Sequence, residues 1–369
     1  MLFGNKDFIR KKKYKEIDFK LLASTNKYYK ESEAHIDEVT WQDLDMDNVF
    51  ADINHTVTTP GEEKLYCWLR NPADNKEGFN KRKNHINSFK KDRAVSNNLR
   101  LALSRIKYCD FDFRETINKG FLINNLLLIG MILLVILNVG ILAVSLITMN
   151  FTALPLFIIT MAASIIIHFR FSMTYNAQLQ VIGYIIKILS FSKKNWKSVE
   201  KVSPDLADRL KELNSKLSKI TKKGSAIFKV EGLDVIGDYI NILFLIKEIN
   251  FLRVSSLINK NKKDLIKLYN NVGDLDAGLS IDRYRRDLKY YCEPDMDSEF
   301  DDINIIDMYH PLLENPISNT IDIGSSIAIT GSNMSGKSTF LRTVGLNSLF
   351  AQGICTSLSK EHRAKFYKL

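Results

Sequence analysis

Phe121 to Ile147 reads FLINNLLLIGMILLVILNVGILAVSLI, and after Thr148-Met149-Asn150 a second run, Phe151 to Phe169, reads FTALPLFIITMAASIIIHF. Neither run contains Asp, Glu, Lys or Arg. A helix crosses a bilayer with about 20 predominantly apolar residues, and both runs meet that length. A helix in a soluble core rarely runs this far without a charge on one face. The connector leaves room only for a tight turn, so residues 121–170 are expected to form a transmembrane helical hairpin. Residues 1–120 precede it, which excludes a signal peptide. Arg114 and Lys119 flank the hairpin on one side and Arg170, Lys187, Lys193 and Lys194 on the other. By the positive-inside rule the chain is a two-pass membrane protein with both flanking parts in the cytoplasm. Pro155 falls in the first turn of the second helix, where its missing N–H costs nothing. Asn124, Asn125 and Asn138 can hydrogen-bond across the hairpin or sit at its interface. His168, at the boundary beside Arg170, is assigned no role.

Outward from the hairpin the pattern is helical on both sides. Residues 1–43 form a basic N-terminal segment whose cluster, Arg10-Lys11-Lys12-Lys13-Tyr14-Lys15, suits anionic lipid or nucleic acid, or simply faces water. Residues 44–120 are helical, with breaks at Asn71-Pro72 and from Asn75 to Gly78. Thr59-Pro60-Gly61-Glu62-Glu63 marks a helix start, followed by Leu65, Tyr66 and Leu69 at helical spacing. Over residues 171–294 a long helix covers Ser172 to Ser192, and Ser203-Pro204-Asp205 opens another. Val235 to Lys260 and Lys262 to Arg286 each read as one further helix. Near Pro294 the pattern shifts: Ile303 to Met308 and Ser326 to Thr330 are β-branched and bounded by turn residues, as strands are.

Length and composition agree with several folded parts. The 369 residues correspond to two or three units at about 150 residues each. With 45% hydrophobic and 25% charged residues, the chain is neither disordered nor fibrous. Lys plus Arg exceeds Asp plus Glu by 52 to 42, a formal charge of +10, which fits nucleic acid or lipid headgroups without choosing between them. Cys67, Cys109, Cys292 and Cys355 are far apart with no CxxC pair, so a disulfide framework or zinc site is not expected and a reducing compartment is.

The apolar stretch Ser326 to Thr330 runs into Gly331-Ser332-Asn333-Met334-Ser335-Gly336-Lys337-Ser338, which is G-x-x-x-x-G-K-[ST], the P-loop. Gly331 and Gly336 permit the backbone angles that turn successive N–H groups toward phosphate oxygens. Lys337 brings a charge to the β and γ phosphates and Ser338 a hydroxyl to Mg²⁺. Thr339 to Gln352 reads as a helix whose N-terminal dipole favours the anion. Strand before and helix after is the context the motif requires. Catalysis also needs an acidic strand end for Mg²⁺ and a group that positions water. Residues 338–369 contain neither, so no catalytic residue is identified, and the chain reads as part of a longer ATPase.

Ile329 to Ile354, ITGSNMSGKSTFLRTVGLNSLFAQGI, resembles the P-loop of the MutS family of DNA mismatch-repair ATPases, written TGPNMxGKSTxLR and followed by AQxG. Ser332 stands where that family has proline and Ser335 where it has glycine. Three other stretches resemble the family in the same order. Asn54 to Gly61 with Leu65 and Trp68 to Pro72 resembles the start of its helical core. Gly273 to Ser280 with Tyr291 to Pro294 resembles the end of its lever. Tyr309-His310-Pro311-Leu312-Leu313 resembles the entry to its ATPase domain. The resemblance implies ATP with Mg²⁺ as ligands, a homodimer through the ATPase domain, and nucleotide-dependent clamping on DNA. By position, Gly331, Ser332, Asn333, Met334, Ser335, Gly336, Lys337, Ser338 and Thr339 would hold the phosphates, and Ile317 and Asn319 would lie beside the adenine. The family's mismatch-reading domain has no counterpart before residue 44. Phe113-Arg114-Glu115 spells that domain's Phe-x-Glu probe, but in the wrong region. DNA contact is therefore expected mainly along the backbone.

The expected architecture is a mainly α-helical core and lever region with a two-helix transmembrane hairpin, followed by the beginning of an α/β P-loop NTPase domain over residues 295–369. The expected function is that of a membrane-anchored, ATP-binding, MutS-like protein of the DNA-repair type. The alternative is a membrane-tethered, nucleotide-switched interaction protein with no DNA role.

Overall fold

The computed structural model describes residues 11–29, 34–149, 152–230, 234–297, 299–300, 302–324, 327–331 and 336–367. They form a mostly helical chain with one small mixed sheet. The helices in order are α1 (Phe19–Asn26), α2 (Glu38–Asp43), α3 (Met46–Ile53), α4 (Thr59–Arg70), α5 (Lys76–Ser88), α6 (Arg93–Leu103), α7 (Phe113–Lys119), α8 (Asn125–Thr148) and α9 (Leu154–Glu200). Then come α10 (Pro204–Lys216), α11 (Ser218–Val230), α12 (Asp234–Phe244), α13 (Ile246–Lys260) and α14 (Lys262–Asp287). The C-terminal part holds β1 (Asp295–Met296), β2 (Ile303–Met308), β3 (Asn319–Ile323), α15 (Lys337–Ile354) and β4 (Glu361–Ala364). Two compact units result. One comprises the residues up to Cys109, Lys197–Ala207 and those from Asn270 onward; the other comprises Asp110–Trp196 and Asp208–Tyr269.

In the first unit the helix starts are written locally. The side chains of Asp18, Thr58, Asn75 and Asp92 each accept the N–H three residues on and so cap α1, α4, α5 and α6, at about 1 kcal/mol apiece. Asn75 thus opens α5 directly, and the break expected to reach Gly78 ends there. Trp41, Phe50, Leu65, Tyr66 and Leu69 share one buried core with Leu346, Leu349, Phe350 and Ile354 of α15. Tyr66 lies 4.9 Å from the Trp41 ring, and the Arg70 guanidinium caps Trp41 at 3.9 Å.

Within that unit the stretches 54–61 and 273–280, quoted separately above, dock on each other. The buried Asp276 carboxylate accepts the N–H of Val57 (3.0 Å), the N–H of Thr58 (2.9 Å) and the Thr58 hydroxyl (2.6 Å). A Cβ at Gly61 would lie 2.2 Å from Asp276 Oδ2, and one at Gly273 would lie 2.6 Å from the Pro60 carbonyl oxygen. Glycine at these two positions is what lets α4 and α14 approach so closely.

The sheet order is β1-β4-β2-β3, with β1 parallel to β4 and the other pairs antiparallel. Of the two expected strands, 303–308 forms as β2. Ser326 lies outside the described residues, and Ile327 to Thr330 are exposed and form no strand. A strand exists only where a neighbour takes up its N–H and C=O groups, and no described strand pairs with this one. What is seen of the expected α/β domain is a small mixed sheet and α15.

In the second unit α8 and α9 are long and apolar, yet only 17% of the most apolar 18-residue window of each is buried. Their faces are inverted relative to a soluble protein. Leu126, Leu133, Ile136, Ile158, Ile159 and Ile166 are exposed, while Asn138, Ser145, Thr160 and Ser164 are buried. Asn138 Nδ2 donates to Ser164 Oγ at 3.0 Å across the pair, whereas Asn124 caps α8. The helix expected from Val235 to Lys260 is interrupted. Leu245 adopts left-handed angles (φ 45°, ψ 41°), and Asn241 Oδ1 accepts the Lys247 N–H at 2.8 Å, so the chain restarts as α13. Phe113 is buried and stacked on Tyr269 with centroids 4.2 Å apart. Its ring is a packing element, not one free to wedge beside a base.

Candidate phosphate-binding loop

The loop's role begins with the helix behind it. α15 is held rigidly by its C-terminal half, because every residue from Leu346 to Ile354 is buried. Its last carbonyls are covered by two arginines from the helical region. Arg82 donates to the carbonyl of Gly353 at 2.8 Å, and Arg285 donates to that of Cys355 at 2.6 Å and to Thr356 Oγ1 at 2.9 Å. Cationic groups at a helix C-terminus complement its dipole. Gln352 adds a two-way clamp, exchanging hydrogen bonds with Ala73 (3.1 and 3.0 Å) and with Tyr367 (3.1 and 3.1 Å). Ala73, Arg82, Arg285 and Tyr367 thereby fix the direction in which the opposite end of α15 points.

That opposite end is exposed and rich in donors. Gly336 sits at the N-cap with φ 81° and ψ 12°, and no side chain caps the helix there. A Cβ at Gly336 would meet nothing within 4 Å, so it is the backbone angle, not space, that calls for glycine. Gly331 also has positive φ, 150°. The amides of Lys337, Ser338 and Thr339 belong to the first helical turn and have no intrahelical acceptor. Lys337 Nζ donates to the Gly331 carbonyl, joining the two ends of the loop. Ser338 and Thr339 are exposed. Ser332, Asn333, Met334 and Ser335 lie outside the described residues. The arrangement is a cationic helix N-terminus flanked by two positive-φ glycines, which is the chemistry a phosphate group requires.

The other two expected residues lie elsewhere, before and at the start of β3. Ile317 is 85% exposed, and Asn319 opens β3 opposite Met308, with its Nδ2 donating to the Ile317 carbonyl at 3.1 Å. Their neighbours Pro316 and Ser318 line a cleft of about 800 Å³ together with His55, Tyr284, Tyr290, Tyr309 and Lys360. Burial, with Lys11, Arg100 and Arg283 nearby, pushes His55 down to about 3, so it is neutral. His310, buried near Arg342, is also held below its ordinary value by burial.

Sequence reasoning passed over Arg82, Arg285, Gln352 and the cleft. All depend on partners far along the chain, and neither residue type nor local spacing marks them. His168, given no role above, is in the second unit bound to Glu248: its Nδ1 lies 2.7 Å from Glu248 Oε1, and Asn241 Nδ2 lies 3.2 Å from the same nitrogen.

No family model matches the chain. Local similarity to curated proteins is present. The DNA mismatch repair protein MutS of Thermotoga sp. (strain RQ2) is 39% identical over 109 residues, covering 28% of this chain and 13% of the relative. The endonuclease MutS2 of Streptococcus sanguinis (strain SK36) is 42% identical over 62 residues, 16% of this chain and 8% of the relative. The MutS protein of Lactobacillus acidophilus is 31% identical over 111 residues, 28% of this chain and 13% of the relative. The chain therefore spans only a small part of the length of these relatives. Over that part it has a low-identity relationship to the MutS and MutS2 mismatch-repair-related proteins.

Proposed function

We propose that this chain is the ATP-binding, membrane-anchored part of a MutS-like protein that engages DNA from the cytoplasmic side. The observation that carries the reading is the exposed N-terminus of α15, with Gly336 in left-handed conformation and Lys337 bent over the loop, in a chain locally similar to MutS proteins. In this reading Gly331 to Thr339 wrap the triphosphate. Lys337 neutralises the β and γ oxygens, and Ser338 turns its hydroxyl to Mg²⁺, which supplies further charge neutralisation when bound. Ile317 and Asn319 flank the adenine, and a second copy of the chain pairs through the nucleotide-binding domain.

The inverted faces of α8 and α9 support the membrane anchor. Apolar side chains outside, with Asn138 hydrogen-bonded to Ser164 between the helices, is what lipid selects, because hydrocarbon offers a polar group no partner. The DNA role rests on the similarity and on the +10 charge. With backbone contacts to about six phosphates, affinity for duplex DNA falls roughly 10³-fold between about 50 and 200 mM salt. Fluorescence anisotropy of a labelled duplex measures this on the full chain in liposomes. No binding at the lowest salt removes the DNA role and leaves a membrane-tethered, nucleotide-switched interaction protein.

A further inference from the structure

The inversion that marks the hairpin continues beyond it. α12 exposes Tyr239 (67%), Ile240 (37%) and Phe244 (38%), with Leu243 half-buried between them, and buries Gly237 and Asn241. At 100° per residue the four large side chains fall within one arc of about 140°, and Asn241 lies on the opposite side. A surface helix of a soluble protein is built the other way, with its apolar stripe inward. Here Asn241 faces the protein and both ends of its amide are used. Asn241 Nδ2 lies 3.2 Å from His168 Nδ1 and 3.3 Å from both Glu248 oxygens, and its Oδ1 accepts the Lys247 N–H. The node joins α12 and α13 to α9 at His168, two residues before Arg170, and both helices also pack on α8. α12 is therefore continuous with the exposed apolar band of the hairpin, at the level where its cationic flank begins.

We propose that α12 is a third membrane element, an interfacial helix whose Tyr239, Ile240, Leu243 and Phe244 enter the lipid at the cytoplasmic headgroup–acyl boundary, held there by the Asn241–His168–Glu248 node. This rests on the membrane reading of α8 and α9. Length sets the mode of insertion. Eleven residues at 1.5 Å each give about 16 Å, half the roughly 30 Å hydrocarbon core, so α12 lies in the interface and does not cross it. Tyrosine suits that depth, with its ring in the acyl region and its hydroxyl among headgroups.

The test uses the full chain in phosphatidylcholine–phosphatidylglycerol liposomes, with Cys109 and Cys292 replaced by serine. Single cysteines at Ile240→Cys, Phe244→Cys, Leu133→Cys (α8) and Lys263→Cys (α14) carry an environment-sensitive fluorophore. Quenchers are lipid nitroxides near the headgroup or at the chain end, and aqueous iodide. The probes at positions 240 and 244 are expected to lose most emission to the headgroup-proximal nitroxide, the probe at 133 to the chain-end nitroxide, and the probe at 263 to iodide alone. Iodide quenching at 240 and 244 with lipid quenching at 133 overturns the proposal and leaves the hairpin in place. Shielding of 240 and 244 from every quencher means that protein covers α12, a second copy included, and also overturns it. Iodide quenching at 133 overturns the membrane reading itself.

Discussion

Lys337→Ala is expected to abolish ATP binding while leaving the fold and liposome insertion intact. In the proposed site the Lys337 ammonium is the one loop side chain with a full positive charge, facing the most highly charged part of the ligand. Truncating one partner of a desolvated charge pair costs about 2–5 kcal/mol, a weakening of roughly 30-fold to several-thousand-fold. The folded chain asks much less of this residue. Its ammonium bonds the Gly331 carbonyl at the surface, and substitutions in such places usually change stability by no more than about 0.5 kcal/mol. Titration calorimetry with ATP and Mg²⁺, beside thermal unfolding of the same samples, separates the two effects. Nucleotide affinity equal to that of the unaltered chain would remove the central claim.

The second large effect concerns folding. Asp276→Ala is expected to destabilise the first unit by at least about 3 kcal/mol, because it strips three hydrogen bonds from buried groups and leaves the Val57 and Thr58 N–H groups without their acceptor. Asp276→Asn is the informative companion, since an amide oxygen in place of Oδ2 can keep all three bonds. Burial raises the Asp276 carboxyl from 3.8 to about 6, against the opposing pull of the Thr58 and Val57 donors and Arg100. The folded chain thus holds a proton that the unfolded chain releases. The associated stabilisation, about 3 kcal/mol, is complete below the ordinary pKa of 3.8 and is lost as pH rises through about 6. Burial lowers His55 to about 3 and His362 to about 4, and both contribute stability that grows with pH over the same window, so the Asp276 contribution is read as a difference. Denaturant unfolding followed by tryptophan fluorescence should show the unaltered chain losing about 3 kcal/mol relative to Asp276→Asn as pH rises through that window. A pH slope in Asp276→Asn equal to that of the unaltered chain assigns the titration elsewhere.

How much of this was legible beforehand depends on the range over which each signal acts. The caps Thr58, Asn75 and Asp92 bond three residues onward, and the Thr59-Pro60 helix start was readable for that reason. The two uncharged runs declared α8 and α9 by length alone. The Gly331 to Ser338 motif identified the head of α15, because its glycines and lysine act through the backbone of the loop itself. The strand expected over Ser326 to Thr330 is not formed by its described residues, Ile327 to Thr330, for a related reason. β-branched residues favour extended backbone, but only a paired neighbour makes a strand. Leu245 was missed inside an apolar run, where hydrophobic periodicity continues across the break that Asn241 creates.

Sequence by itself determined the helical character of the chain, the two long apolar helices with their charged flanks, and the glycine–lysine motif at the head of α15, all properties of neighbouring residues on one element. Tertiary structure decided the rest. It set Asp276 against Val57 and Thr58 across 219 and 218 positions, and His168 against Glu248 across 80. It turned the polar sides of α8, α9 and α12 inward, and it placed Arg82 and Arg285 over the carbonyls that end α15. The reason is physical: periodicity and capping draw their energy from groups within a turn or two of each other, whereas a buried carboxylate or guanidinium is satisfied by whichever distant backbone the packing brings to it.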